Sequence, residues 1–341
     1  MWVALFVIAL LVVLACWHGP ARPPAVGGVS SLERVEIGGI GQWISIRAAH
    51  PDAPVLLFLH GGPGSANIAK LRQQVPELEQ HFVVVNWDQA GAGRSIPIGF
   101  DYGNLSIDGM VLDAHDLVTY LKARFGVEKI YLMGFSWGTV LGLELASRYP
   151  EDFYAYIGVS QVVSPLEGER ISLEYVRRVA RETGNEQALS ELAGIDPANW
   201  REDGYPEIGT ERNWLLRFGG VYHTTDNYNH EVWMLLRAPE YSLYDVGPWL
   251  LGSRRSLRQL WPEMMDIDFF STIRELHVPV YFFAGRYDYN VPSQLAERYY
   301  QGLVDPAGKH LVWFENSAHD IFFDEPDRLA AEMLAILEAQ P

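Results

Sequence analysis

The stretch Lys129-Ile-Tyr-Leu-Met-Gly-Phe-Ser-Trp-Gly-Thr139 constrains the fold of this chain more than any other. Residues 130–133 are a short apolar run, which predicts a buried strand. Residues 139–149 then mix small and apolar side chains at helical spacing. Between them Gly134-Phe-Ser-Trp-Gly138 has to reverse the chain in a tight turn. A Cβ at position 134 or 138 would crowd the backbone of that turn, which gives both glycines a steric reason. Ser136 at its apex is expected to hold a strained conformation that lifts its hydroxyl out of the sheet edge. Gly-x-Ser-x-Gly also arises in ordinary loops. The order strand, turn, helix is what marks this one as a nucleophile elbow.

The flanking chain repeats the strand and helix alternation. Pro54-Val-Leu-Leu-Phe-Leu59 is apolar throughout, as a strand covered on both faces of a parallel sheet must be. His81-Phe-Val-Val-Val-Asn86 is a second such strand, and residues 154–160 a third. Residues 65–80 have helical spacing, with Pro76 as a break. Residues 106–125 predict a helix capped by Ser106. Before all of these, residues 32–49 alternate at period two around Gly38-Gly39, a hairpin signal. The alternation stops near Val163 and resumes near His277. Helical segments are expected between those points at 173–183, 214–218, 231–236 and 249–261, with Trp200, Trp214, Trp233, Trp249 and Trp261 among them. After them come a strand over 278–285, a helix from 294 capped by Ser293, a strand over 309–314 and a terminal helix over 327–338. The expectation is an α/β fold, a doubly wound and mostly parallel sheet with an inserted helical cap. Its core is placed at 31–163 and 277–341, its cap at 164–276 and a linker at 18–30. Some cap aromatics should face an apolar pocket above the turn.

A serine hydroxyl needs a base, and the base needs an anion to hold its tautomer. In such sheets these follow in the order Ser, Asp, His from loops at the carboxyl ends of strands. Ser136, Asp288 and His319 fit that order, each one loop past an expected strand. Of the other histidines, His310 falls within a strand, His115 lies mid-helix, and His223 and His230 lie in the cap. Asp320 is the competing carboxylate, but it adjoins His319 too closely to reach the far imidazole nitrogen. For the oxyanion, one donor is expected from the Trp137 N–H and another from His60-Gly-Gly-Pro-Gly64, at Gly62 or alternatively Gly61. Asp88-Gln-Ala-Gly-Ala-Gly-Arg-Ser95 lacks a third glycine at dinucleotide-binding spacing. It reads as a turn that buttresses the oxyanion loop through Asp88 and Arg94.

The formal net charge of −17 repels phosphate backbones and argues against a nucleic-acid partner. It tolerates cationic groups on a substrate. Cys16 is the one cysteine, so no internal disulfide or cysteine-rich metal site forms. No motif for a metal or a cofactor occurs, and none is expected. Residues 1–17 are apolar without interruption and carry no basic residue. They read as an uncleaved membrane anchor in a bacterial cell envelope, the alternatives being a cleaved signal, a lipoprotein acylated at Cys16, or a buried helix of a cytoplasmic protein.

With His60-Gly-Gly-Pro-Gly64, the 88–95 turn, Gly134-Phe-Ser-Trp-Gly138, Gly285-Arg-Tyr-Asp288 and Ser317-Ala-His319 together, the chain resembles the α/β-hydrolase superfamily. More narrowly it is similar to the proline iminopeptidase-like serine hydrolases. The resemblance implies release of an N-terminal residue from short peptides, with cap glutamates holding the free amine. Glu207, Glu211, Glu231 and Glu240 are available for that. Position 135 is phenylalanine where many iminopeptidases carry glycine. The expected activity is therefore a serine hydrolase acting as an aminopeptidase on small peptides or amides, the alternative being a carboxylesterase on small apolar esters.

Overall fold

Apolar runs that alternate toward two faces require cover on both, and the central strands have it. The computed structural model describes Phe6, residues 18–200 and residues 205–340. Leu57 and Leu59 of β3 (Val55–Leu59) enter one core with Val83, Val85 and Leu132. Leu56 and Phe58 enter another, on the opposite face, with Val84, Tyr131 and Met133. β1 (Val29–Ile37) and β2 (Ile40–Ala48) form the expected hairpin. Gly38 and Gly39 have φ of 57° and 77°, which a two-residue turn of this hand demands. β1 begins at Val29, inside the tract read as a linker. That tract is fastened to the sheet, because Arg47 donates to the carbonyls of Ala21 (3.3 Å) and Arg22 (3.0 Å).

β4 (Val83–Asp88), β5 (Ile130–Phe135), β6 (Phe153–Val159), β7 (Val280–Gly285) and β8 (Lys309–Phe314) complete an 8-stranded sheet in the order β1-β2-β4-β3-β5-β6-β7-β8. β2 pairs antiparallel with β1 and β4, and the remaining pairs are parallel. The chain steps from β3 outward to β4 and then back across to β5, so the order reverses between β3 and β5. Ligands settle at such a switch point, beyond the carboxyl ends of the strands.

Outside the segment between β6 and β7, the longer helices are α2 (Ile107–Phe125), α3 (Gly138–Arg148), α9 (Ser293–Gly302) and α10 (Pro326–Ala339), and a short α1 (Lys70–Gln74) precedes them. Pro76 does end α1. Ser106 caps α2, accepting from the Gly109 N–H at 3.1 Å. Ser293 is not a cap: it is the first residue of α9, and its hydroxyl donates to the Gly285 carbonyl at 2.8 Å. Between β6 and β7 run α4 (Pro165–Glu182), α5 (Glu186–Leu192), α6 (Tyr205–Arg217), α7 (Asn229–Leu236) and α8 (Leu243–Met265). α4, α6 and α8 each extend beyond the expected segments. α8 starts early because the Asp245 carboxylate accepts from the Ser242 N–H (2.6 Å) and hydroxyl (2.7 Å) at its first turn. Among the described residues no helix is long and apolar enough to cross a membrane. The anchor expected at residues 1–17 lies outside the described residues, apart from Phe6.

Candidate active site

The turn after β5 forces its own chemistry. Ser136 has φ of 53°, in the left-handed region that a non-glycine residue rarely holds. Its N–H donates to the Val159 carbonyl at 3.0 Å, which pins the turn to β6. An added Cβ on Gly138 would overlap the Leu59 carbonyl, and one on Gly134 would lie 2.6 Å from the Gly138 carbonyl oxygen. Gly138→Ala is therefore expected to cost roughly 3 kcal/mol or more. A fall in the urea midpoint at unchanged slope measures it.

His319 is delivered by the loop after β8 and Asp288 by the loop after β7. The two loops close on each other, with the Tyr287 N–H donating to the Ser317 carbonyl at 2.9 Å. A Cβ on Gly285 would meet the Ala318 carbonyl, so that close approach needs glycine. His319 Nε2 lies 3.0 Å from Ser136 Oγ, and His319 Nδ1 lies 2.9 Å from Asp288 Oδ2. The carboxylate beside Nδ1 fixes the proton there, leaving Nε2 to accept from the serine hydroxyl. Asp288 Oδ1 accepts from the Val291 N–H at 2.8 Å, so both carboxylate oxygens are occupied. The Asp288 side chain is fully buried. Phe135 lies against the His319 ring, centroids 5.1 Å apart, and so packs the imidazole in place. Asp320 pairs instead with Lys70 Nζ at 2.6 Å, both side chains buried.

Gly61, Gly62 and Trp137 border the same cavity as Ser136 and His319. The loop carrying the glycines is held by Gln89 rather than by Asp88 or Arg94. Gln89 donates from Nε2 to the His60 carbonyl (3.1 Å) and from its own N–H to His60 Nε2 (3.2 Å), while its Oε1 accepts from the Trp137 indole (3.0 Å). His60 Nδ1–H donates to the Gly61 carbonyl at 2.7 Å, and burial pushes the imidazole down to about 4, so it stays neutral. Asp88 instead holds its own turn, accepting from the Arg94 N–H (2.9 Å), and reaches the Tyr241 hydroxyl (2.7 Å). Burial raises the Asp88 carboxyl to about 7.

The cavity above Ser136 holds about 360 Å³, with sheet loops on one side and α4, α6, α7 and α8 on the other. Tyr222, Tyr228, Trp249 and Trp261 line it, whereas Trp200 and Trp214 are buried within the helical core. Its wall also carries Glu169, Glu231 and Arg212. Glu231 accepts from the Tyr222 hydroxyl at 2.5 Å. Arg212 pairs with Glu169 at 2.5 Å and with Glu211, so with both carboxylates ionised the group keeps one uncompensated negative charge. Glu169 Oε2 is buried and has no hydrogen-bond partner. Of the glutamates expected to matter, only Glu231 borders the cavity. Glu211 stands behind Arg212, Glu207 accepts from the Trp200 indole at 2.8 Å, and Glu240 pairs with Arg72 at 2.8 Å. The sequence does not single out Glu169, because the helix expected at 173–183 begins after it. Glu169 sits on the buried side of α4 with Ser172, Leu173, Val176 and Ala180, where an amphipathic helix places apolar residues. His230, Glu231 and Asp320 bring possible metal-donor atoms within 4.8 Å of one another. The Lys70 ammonium already supplies the cation there, so the group reads as an ion-pair network.

The α/β hydrolase fold model matches residues 54–326. The chain belongs to the α/β hydrolase fold family, and it is a hydrolase. It is 32% identical over 309 residues to "Probable aminopeptidase YbaC" of Bacillus subtilis (strain 168), covering 90% of this chain and 96% of that one. It is 24% identical to the proline iminopeptidase of Neisseria meningitidis serogroup B, over 77% of this chain and 83% of that protein. Among solved structures, the proline iminopeptidase of Mycobacterium smegmatis superposes with a TM-score of 0.68 at 18% identity, over 91% of this chain and 98% of that one.

Proposed function

We propose that the protein is a serine aminopeptidase that removes an N-terminal residue from short peptides or amino-acid amides. Ser136 Oγ attacks the scissile carbonyl while His319 Nε2 takes its proton. The Trp137 and Gly62 N–H groups receive the oxyanion. His319 then returns the proton to the departing amine, and water releases the acyl group from Ser136 by the reverse sequence. Asp288 holds the imidazole tautomer and balances its charge in the transition state. The observation that carries the peptidase reading is the acidic wall opposite Ser136. Glu231 and the unpartnered Oε2 of Glu169 suit an ammonium group, and an ester without an amine has no use for them. The similarity to an aminopeptidase and to proline iminopeptidases supports the same class.

Turnover of L-prolyl and L-alanyl p-nitroanilides, set against p-nitrophenyl butyrate, tests this reading. Hydrolysis of the ester with neither anilide cleaved would reject it in favour of a carboxylesterase. Glu231→Gln and Glu169→Gln are each expected to raise KM for the free-amine anilides by roughly tenfold or more, the worth of one charged hydrogen bond. Butyrate hydrolysis should change little, and an equal loss on both substrates would count against an amine site.

A further inference from the structure

The outer surface of the inserted helices has a composition unlike the rest of this acidic chain. On α7, Val232, Trp233 and Leu236 are exposed by 53, 56 and 48%. On α8, Leu243, Tyr244, Leu250 and Leu251 are exposed by 57 to 68%. Single exposed apolar residues are ordinary, but a contiguous group marks an interaction surface. Exposed arginines follow the apolar residues on both helices: Arg237 after Leu236, and Arg254, Arg255 and Arg258 after Leu251. Helical spacing places Leu243, Leu250, Leu251, Arg254 and Arg258 on one side of α8. The same helix contributes Trp249, Leu257 and Trp261 to the cavity lining. The two helices are joined through one small apolar cluster that includes Leu235 of α7 and Trp249 of α8.

The chain that follows the apolar residues 1–17 meets the fold at this place. The Gly19 N–H donates to the carbonyl of Pro239, in the connection between α7 and α8, at 2.8 Å. His18 Nε2 lies 2.6 Å from the Arg94 guanidinium, which also donates to the neighbouring Glu240 carbonyl at 3.3 Å. The first described residues after the apolar stretch 1–17 thus lie beside the connection between α7 and α8.

We propose that the outer face of α7 and α8 docks on an anionic lipid bilayer. Trp233, Leu250 and Leu251 enter the headgroup boundary, the arginines meet lipid phosphates, and residues 1–17 lie in the same membrane. Aromatic and aliphatic residues beside a row of arginines are the composition that such a boundary selects. The local positive charge favours an anionic leaflet even though the whole chain carries −17. Because α8 is also a wall of the catalytic cavity, docking brings the cavity close to the bilayer.

The full chain with Cys16→Ser, carrying an environment-sensitive fluorophore at Leu251→Cys, tests the proposal. Phosphatidylcholine–phosphatidylglycerol vesicles should shift its emission to the blue. The same dye at Val304→Cys should not respond, since Val304 is exposed at the amino-terminal end of the parallel strands. Equal responses at the two positions, or vesicle binding without a shift at position 251, would overturn the proposal. So would a blue-shifted signal at 251 before vesicles are added, which would mean that residues 1–17 or a second copy cover the face. Replacing Arg254, Arg255 and Arg258 by Gln should weaken partitioning into phosphatidylglycerol vesicles by roughly tenfold or more. Activity on a soluble substrate should stay unchanged. Partitioning that is unaffected by these replacements would also overturn it.

Discussion

Replacing Ser136 by Ala is expected to lower kcat on any accepted substrate by roughly 10^6-fold and to leave the fold intact. The size follows from the nucleophilic role proposed for Ser136: without Oγ no acyl-enzyme would form, and only oriented water would remain. The fold survives because alanine keeps the Cβ that already tolerates φ of 53°, and the turn is held by backbone bonds to Val159 and Thr139. Deleting the hydroxyl also removes one partner of His319 without opening a large cavity. Steady-state turnover checks the loss, and an unchanged thermal midpoint checks the fold. Residual activity within about tenfold of wild type would mean that another group attacks the substrate.

Asp288→Asn is expected to lower kcat by roughly 10^4-fold with little change in KM. Asparagine fits the space, and its carbonyl can still accept from the Val291 N–H, now made at 2.8 Å. Its amide N–H then faces His319 Nδ1 and donates to it. The imidazole proton would then move to Nε2, the nitrogen that takes the proton of Ser136 in the proposed mechanism. The defect is one of tautomer, so packing and stability should hold while the chemical step fails. A loss carried by KM would assign Asp288 to substrate binding instead. Asp320 cannot substitute, because its carboxylate is engaged by Lys70 at 2.6 Å and by the Phe323 N–H at 3.3 Å.

Much of the architecture is readable from local sequence pattern. The apolar runs of β3, β4 and β5, the Gly38-Gly39 hairpin and the Ser106 cap depend on neighbours a few residues away, and their physics is written in short windows. The order of Ser136, Asp288 and His319 was readable for a related reason, since chain order and loop position follow from the sheet. What eluded that reading depends on residues far apart in sequence. Gln89 ties His60 to Trp137, and nothing in the turn containing it shows that reach. Lys70 meets Asp320 across 250 positions. Glu169 meets Arg212 across 43 positions, from helices whose packing is set by the whole insert. One helix boundary within the insert differs from expectation because a cap overrides the local punctuation. The segment expected at 249–261 begins after Pro248, yet the Ser242–Asp245 cap starts α8 ahead of that proline.

Treatment with a fluorophosphonate, followed by intact mass and peptide mapping, tests the central claim most directly, because the probe reacts only with a serine activated as a nucleophile. One adduct on Ser136, absent in both Ser136→Ala and His319→Ala, is the predicted result. An adduct on a different residue, or labelling that persists in Ser136→Ala, would contradict it.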